Sequence, residues 1–477
     1  MRLNKKILIL LVLCIIIMPI NSVEAFGKKA KAQSTQSVKV SKSKKTNVQE
    51  EKYTNEKHSI FTLKDCIEIS VKYNPYIQAS IYNDEIYKTR IGQAWANYFP
   101  AISVGIDVAR SGNKYNKEIP PYYRRSIYNT AGYVPSVSAD MLLFDFGKTK
   151  ATADMAKRLY EGAQEETKEN INTIIYDIKS TYYNILFAQA QVHVYEDTVA
   201  DYQLQLRQAQ GFYKYGTKPK LDVVTAEYNL GKAQLNLVKA KNILAVAKVQ
   251  LSKIMGIPEY SNYELSDEMS LNKFDITSED AIKTALEVRP ELISAKKNMD
   301  AAKMNLRAVR REFTPDIGLF GSYSNSLGNE YNVQSGQVGV GLQYSGLNIL
   351  RLKKQVDETN ATYKMRQAQY ENIKNNVYFN VQKNFLDLET AAEEIVIAKL
   401  ALDQAREQYR QVTGRYKAGV GDAIELKDGE NTYLSARLDF YNAMLNYNVT
   451  AASLEREIGL PLTVSEDVVL TIKPEDL

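Results

Sequence analysis

Two histidines, two cysteines, a glycine-spaced stretch and a few acids at helix starts are the residues of this 477-residue chain whose types could do chemistry. His193 stands on a long helical stretch with no second histidine or cysteine near it, and His58 lies beside a lysine-rich segment; a metal or a general base needs partners that neither has. Cys14 falls inside an apolar leader and is flanked by Leu13 and Ile15, which suits that leader better than a lipid-attachment site. Cys66 is then left alone, so no intramolecular disulfide is expected, and it reads as a small apolar residue on a helix. Gly336, Gly339 and Gly341 are spaced wrongly for a dinucleotide fingerprint and sit in a strand pattern with no helix opening after them. The sequence therefore predicts no catalytic residue, no metal and no cofactor. What remains is to find the elements that would position a non-enzymatic site.

Charge and composition come first. The formal net charge of +5 divides into +2 over residues 1–25, +7 over 26–49 and −4 over 50–477, so the folded body gives no support to nucleic-acid binding. Arg2, Lys5 and Lys6 precede the apolar run Ile7 to Met18, then Pro19 and Val23-Glu24-Ala25, the pattern of an export signal over residues 1–25 with a mature start near Phe26. A retained anchor is the alternative, but 12 apolar residues are short against the roughly 20 that span a bilayer. Residues 26–57, rich in Lys, Ser, Gln and Thr, bury too little to offset the entropy of ordering and read as a tether; binding to anionic lipid or cell wall is the less favoured reading of its lysines.

The body is a duplication. Thr62-Leu63-Lys64-Asp65-Cys66-Ile67 with Asn74-Pro75 recurs as Thr277-Ser278-Glu279-Asp280-Ala281-Ile282 with Arg289-Pro290, and Phe99-Pro100 recurs as Thr314-Pro315 at the same offset of 215. Tyr213-Lys214-Tyr215-Gly216 matches Tyr416-Lys417-Ala418-Gly419, and Gly256-Ile257-Pro258 matches Gly459-Leu460-Pro461, both at 203. The first unit, 58–275, thus carries 12 more residues after Pro100 than the second, 276–462, and the loop around Pro120-Pro121-Tyr122-Tyr123 is the expected place for them. Residues 463–477 are left as a C-terminal tail.

Each unit mixes two periods. Ile102, Val104, Ile106 and Val108 alternate with small or polar residues, as do Val137, Ala139 and Met141, then Ile317, Leu319 and Tyr323, then Val338, Val340 and Leu342. Ten-residue segments of this kind mark transmembrane β-strands, although a one-sided soluble sheet alternates in the same way. Four strands cannot close a barrel, and an open edge cannot sit in lipid, so strands that meet lipid require several copies. Between the strand pairs the helical period runs from Lys148 to about Phe212 and from about Arg351 to Tyr416, the latter with a seam through Val381, Phe385, Leu388, Ala392, Ile395, Leu402, Ala405, Tyr409, Val412 and Tyr416. Helices over 220–256 and 422–458 return from glycine turns, and those over 75–98 and 290–312 are expected to stack end to end on them.

The paired Asn74-Pro75 and Arg289-Pro290 starts, Phe99-Pro100 and Thr314-Pro315 at the helix-to-strand switch, Phe144-Asp145-Phe146-Gly147 at the return, and the two Tyr-Lys-x-Gly tips together resemble the TolC-like outer membrane factor family over residues 60–462. The resemblance implies an α+β membrane protein, a duplicated unit of long coiled-coil helices plus β-hairpins. It implies a homotrimer whose 12-stranded β-barrel is continuous with a periplasmic α-helical barrel. It also implies a passive outer-membrane exit duct set in outer-membrane lipid, docked on a periplasmic adaptor (membrane fusion protein) and an inner-membrane pump. A periplasmic adaptor or a structural coiled-coil protein of the envelope is the alternative, disfavoured by the duplication and the lipid-type strands. Carried over residue by residue, the family's periplasmic constriction falls on Tyr416, Glu425 and Asp428, with Asp222 as the first unit's acid. Acids near helix N-termini also satisfy the macrodipole, which is a purely local account of Asp222 and Glu425. The family's latch uses a basic residue two positions after the tip glycine, where this sequence has Gly421; the latch is absent or replaced by Lys218, Lys220 or Lys427. The second strand-to-helix return, Gln343-Tyr344-Ser345-Gly346-Leu347-Asn348, also departs from the family pattern.

Overall fold

The chain is described by a computed structural model over residues 59–111, 130–257, 263–265, 270–274, 276–328, 332–344, 348–460 and 464–471, all within one unit spanning His58–Leu477. The export signal, the tether, His58 and the Pro120–Tyr123 loop lie outside these residues, as does the centre of the second strand-to-helix return.

Both halves follow one order. The first runs β1 (Ser59–Phe61), α1 (Leu63–Tyr73), α2 (Pro75–Trp95), a 3-10 turn, β2 (Ala101–Ser111), β3 (Thr130–Phe144), α3 (Lys148–Lys214) and α4 (Lys220–Met255). After the short strands β4 (Tyr263–Leu265) and β5 (Ser270–Phe274), the second runs α5 (Ser278–Val288), α6 (Pro290–Arg310), a 3-10 turn, β6 (Asp316–Gly328), β7 (Asn332–Gln343), α7 (Ile349–Lys417) and α8 (Ala423–Ile458). The stretch read as a C-terminal tail carries one more strand, β8 (Val464–Thr471), paired antiparallel with β5. At 67 and 69 residues, α3 and α7 are each about 100 Å long at 1.5 Å per residue.

Local chemistry sets the joints. Thr62 and Asp65 form a capping box at α1, and Thr277 caps α5 through the Asp280 amide in the same way. Pro75 and Pro290 open α2 and α6 at the first helical position, where their missing N–H costs nothing. The end-to-end stacking rests on two glycines. Gly256 and Gly459 close α4 and α8 with φ of 74° and 86°, and a Cβ on them would meet Tyr73 O at 2.8 Å and Arg289 Cα at 3.3 Å. Each helix end therefore abuts the junction that starts the next rod. The first junction is fastened by Ser70 and Asn74, which both donate to the Ile254 carbonyl at 2.9 and 2.8 Å. The second uses a charge: the buried Arg289 guanidinium donates to Glu457 Oε2 at 2.5 Å and pairs with Glu291 at 2.9 Å.

One core gathers at this level, joining Cys66, Ile178, Tyr182, Ile185, Met255 and Phe440 with residues of α5 and α7. The seam on α7 is buried at Val381, Leu388, Leu402, Ala405, Val412 and Tyr416 but not at Ala392; its neighbour Ala391 takes that place, because it stands in the seven-residue register of Ala405 and Val412 while Ala392 is one position off it.

The four long strands form one antiparallel sheet in the order β2-β3-β6-β7. Residues directly opposite share a face, so Val104 pairs with Val137 and Val137 with Tyr323, while Ile102, Ala139, Gly321 and Val338 form a row beside them. That face is apolar across the sheet; the other carries Ser103, Ser138, Ser322 and Gln337 in one row and Gly105, Ser136, Ser324 and Ser335 in the next. Phe320 lies across Gly339 on the second face, where a Cβ would meet the ring at 2.7 Å. A Cβ on Gly341 would stand 3.5 Å from the same ring, an ordinary contact, so of the β7 glycines Gly339 is the one this ring requires.

Candidate functional site

The far end of the helical body is where the sequence-derived site residues collect. α3 and α7 both stop on left-handed glycines, Gly216 (φ 73°) and Gly419 (φ 77°), and their last carbonyls are recovered by the turn amides: Thr217 N donates to Phe212 O, and Val420 N to Arg415 O. A small hydrophobic cluster of Val412, Tyr416 and Leu426, backed by Phe212, Tyr409 and Ala423, ties the two tips together, apart from the main core.

Tyr416 is the centre of this cluster, 4% exposed. Phe212 meets its ring edge-on at a centroid distance of 6.2 Å, and Lys218 Nζ sits 4.1 Å from the ring centroid and 5.6 Å from that of Phe212. Burial, with the carboxylates of Asp222 and Asp422 nearby, pushes the Tyr416 phenol above its ordinary pKa. Lys218 also lies 3.8 Å from Asp222 Oδ2, so one ammonium links the first unit's acid to the second unit's aromatic. Of the three lysines considered as substitutes for the latch, Lys218 is therefore the one set against Tyr416 and Asp222.

Glu425 is held differently. Arg415 Nη1 donates to its Oε1 at 2.6 Å across the α7–α8 turn, an arginine the sequence reading did not single out. Asp428 is exposed one turn further along α8, its backbone carbonyl accepting from Thr432. Gly421 has no room for a basic side chain: its Cβ would stand 2.7 Å from Tyr416 N, and its amide donates to Arg415 O. The structure thus brings Tyr416, Lys218 and Asp222 together and places Glu425 with Arg415; it does not join the two groups directly. His193 is exposed on α3, and among the described residues no cluster could hold a metal ion.

Among the described residues no helix is long and apolar enough to cross a membrane. The sheet, by contrast, turns Ile102, Val104, Ile106 and Val108 outward, 62–76% exposed, with Val338, Val340 and Leu342 on the same face. A duplicated subunit of helices about 100 Å long carrying a four-stranded sheet that is apolar on one face, mostly small and polar on the other, and open at both edges has the architecture of an outer-membrane channel subunit. The family model described as outer membrane efflux protein matches residues 67–257 and 281–460, and the chain belongs to that family. Among curated relatives, the outer membrane protein TolC of Escherichia coli is 23% identical over 433 residues, with 83% of each chain covered. The alkaline protease secretion protein AprF of Pseudomonas aeruginosa is 22% identical over 412 residues, covering 83% of this chain and 84% of its own. The solved CmeC outer membrane channel of Campylobacter jejuni superposes with a TM-score of 0.74 at 16% identity, covering 85% of this chain and 87% of its own. The protein is an outer-membrane channel, and its family is one of passive efflux channels rather than enzymes.

Proposed function

We propose that three copies of this chain form the outer-membrane exit duct of a tripartite efflux or type I secretion system. The observation that carries this reading is the sheet: β2 and β7 are its free edges, and an unpaired edge with an apolar outer face has no stable place in lipid until other copies close it. Three sheets of four strands give a 12-stranded barrel, with the polar rows of Ser103 and Gly105 facing its lumen. Exposed Trp95 and Phe99 at the helix-to-strand switch, and Phe144 and Phe146 at the strand-to-helix return, are in keeping with an aromatic girdle at the lipid–water interface. The export signal, cleaved near Phe26, and the Lys-rich tether belong to the same reading.

At the opposite end, the tip residues Asp222, Tyr416, Glu425 and Asp428 form the periplasmic constriction. Three copies place their carboxylates around one axis, and the Lys218–Tyr416 and Arg415–Glu425 contacts support the idea that basic side chains restrain them. A periplasmic adaptor and an inner-membrane pump complete the path and supply the energy. Relatives named for toluene efflux and for alkaline protease secretion match at similar identity, which favours a duct whose cargo is chosen by the pump.

The test joins edges. With one cysteine on β2 (Val104→Cys) and one on β7 (Val340→Cys), a short bis-maleimide applied to the detergent-extracted protein is expected to give dimers and trimers and nothing larger. A monomer that keeps its β content in detergent refutes the assembly.

A further inference from the structure

Three turns behind the tip, a polar seam, buried at Tyr202, Glu430 and Arg437 and reached by solvent at Asp197 and Lys417, joins the two units. α3 supplies Asp197, Asp201, Tyr202 and Gln205; α7 supplies Tyr409, with Lys417 near enough to act on Asp201; α8 supplies Glu430, Tyr433 and Arg437. Glu430 is 4% exposed. Gln205 Nε2 donates to its Oε2 at 2.9 Å, the Tyr202 hydroxyl lies beside the same carboxyl, and its Oε1 is buried with no hydrogen-bond partner. Tyr409 donates to Asp201 Oδ2 at 3.2 Å, and Arg437 pairs with Asp197 at 2.9 Å. Asp201, Tyr409, Glu430 and Arg437 line a common cavity of about 10 Å³, at the lower limit for holding one water.

The charges in this seam do not balance when every group is ionised. Asp197, Asp201 and Glu430 then face Arg437 and Lys417, and among the described residues the one guanidinium lining the cavity is paired with Asp197. An isolated carboxylate in such a place has lost its water without gaining a cation. Protonated, Glu430 leaves two acids against two bases and still accepts from Gln205.

We propose that Glu430 is a proton-operated fastener of the α3–α8 seam: carrying its proton it lets the two units pack, and losing it leaves an uncompensated charge that loosens them just behind the tip. Burial first, with the Asp201 charge adding to it, pushes the Glu430 carboxyl up to about 7, against the pull of its hydrogen bonds with Gln205 and Tyr202. Asp201 is also raised, by burial and by Asp197. An acid whose pKa is raised in the packed state binds its proton more tightly there, so packing is favoured at low pH and weakens as pH climbs from the ordinary carboxylate range to about 7. Between pH 5.5 and 8.5, the opening constant of the seam should rise about thirtyfold if Glu430 regains an ordinary pKa on opening. Any effect on the pore rests on the tip being the constriction.

Peptide-resolved hydrogen exchange on the full trimer, corrected for the intrinsic pH dependence of exchange, reads this seam directly. In the wild type, opening of segments 198–209 and 426–437 is expected to rise by that factor over this range, while the α1–α4 junction around residues 70–74 and 251–256 stays flat. Glu430→Gln, which copies the shape of the protonated acid, should keep both segments protected at every pH. Asp201→Asn should move the midpoint to lower pH without removing the rise. A rise that survives in Glu430→Gln, or no rise in the wild type, overturns the proposal. Conductance of the same proteins in planar bilayers separates the two claims: exchange that responds while conductance does not leaves the fastener standing and refutes the constriction at the tip.

Discussion

Replacing Tyr416 by alanine probes what holds the tip. The ring is 4% exposed and sits in a cluster with only two other fully buried residues, Val412 and Leu426, so its removal leaves a hole that little else can fill. Aromatic-to-alanine changes in cores cost about 3–5 kcal/mol, and the small, partly solvated cluster argues for the lower end, near 3 kcal/mol. The edge-on contact with Phe212 and the Lys218 ammonium over the ring are part of that loss rather than additions to it. At about 1.4 kcal/mol per decade, the closed-to-open ratio of the tip should fall by roughly a hundredfold. Because this cluster is separate from the main core, unfolding temperature and trimer yield should change little. Single-channel recordings should show a higher resting conductance for Tyr416→Ala. Tyr416→Phe keeps both ring contacts and should record like the wild type. If Tyr416→Phe is as leaky as Tyr416→Ala, ring packing is not what holds the tip; if Tyr416→Ala conducts like the wild type, the tip is not the constriction.

Substituting both Glu425 and Asp428 by alanine should lower cation selectivity and weaken block by divalent cations in planar bilayers, whereas Asp403→Ala, exposed on α7 well away from the tip and paired with Lys399, should alter neither. Arg289→Met strands the buried Glu457 carboxylate beside a buried helix end, and breaking a buried pair from one side costs on the order of 3–5 kcal/mol; a clear drop in the unfolding midpoint is expected, partly restored by adding Glu457→Gln. Gly256→Ala forces a left-handed alanine whose Cβ meets the Tyr73 carbonyl at 2.8 Å, so it should destabilise more than Gly459→Ala, where the nearest atom is at 3.3 Å, as read by protease resistance of the detergent-extracted protein.

The sequence alone carried whatever depends on local period and on order along the chain. The parity of Ile102, Val104, Val137, Tyr323 and Val338 fixes which strand residues share a face, because neighbouring side chains in a strand must alternate. Pro75, Pro290, Gly256 and Gly459 mark helix ends through backbone constraints that act within a few residues, and the duplication at two offsets orders the elements. Motif position names Tyr416, Asp222, Glu425 and Asp428 and leaves Lys218 as one of three candidate lysines, but it does not choose among those lysines and does not point to Arg415. Arg415 reaches Glu425 and Lys218 reaches Tyr416 only because two glycine turns bend the chain to a particular degree, and the rotation of α3 about its own axis against α8 decides that Glu430 meets Asp201 and Gln205 instead of water. Ala391 rather than Ala392 is buried for a local reason: it keeps the seven-residue register of Ala405 and Val412, which the sequence itself carries. The pairing of β8 with β5, by contrast, joins segments nearly 200 residues apart, a contact that no local pattern encodes and that tertiary structure alone supplies.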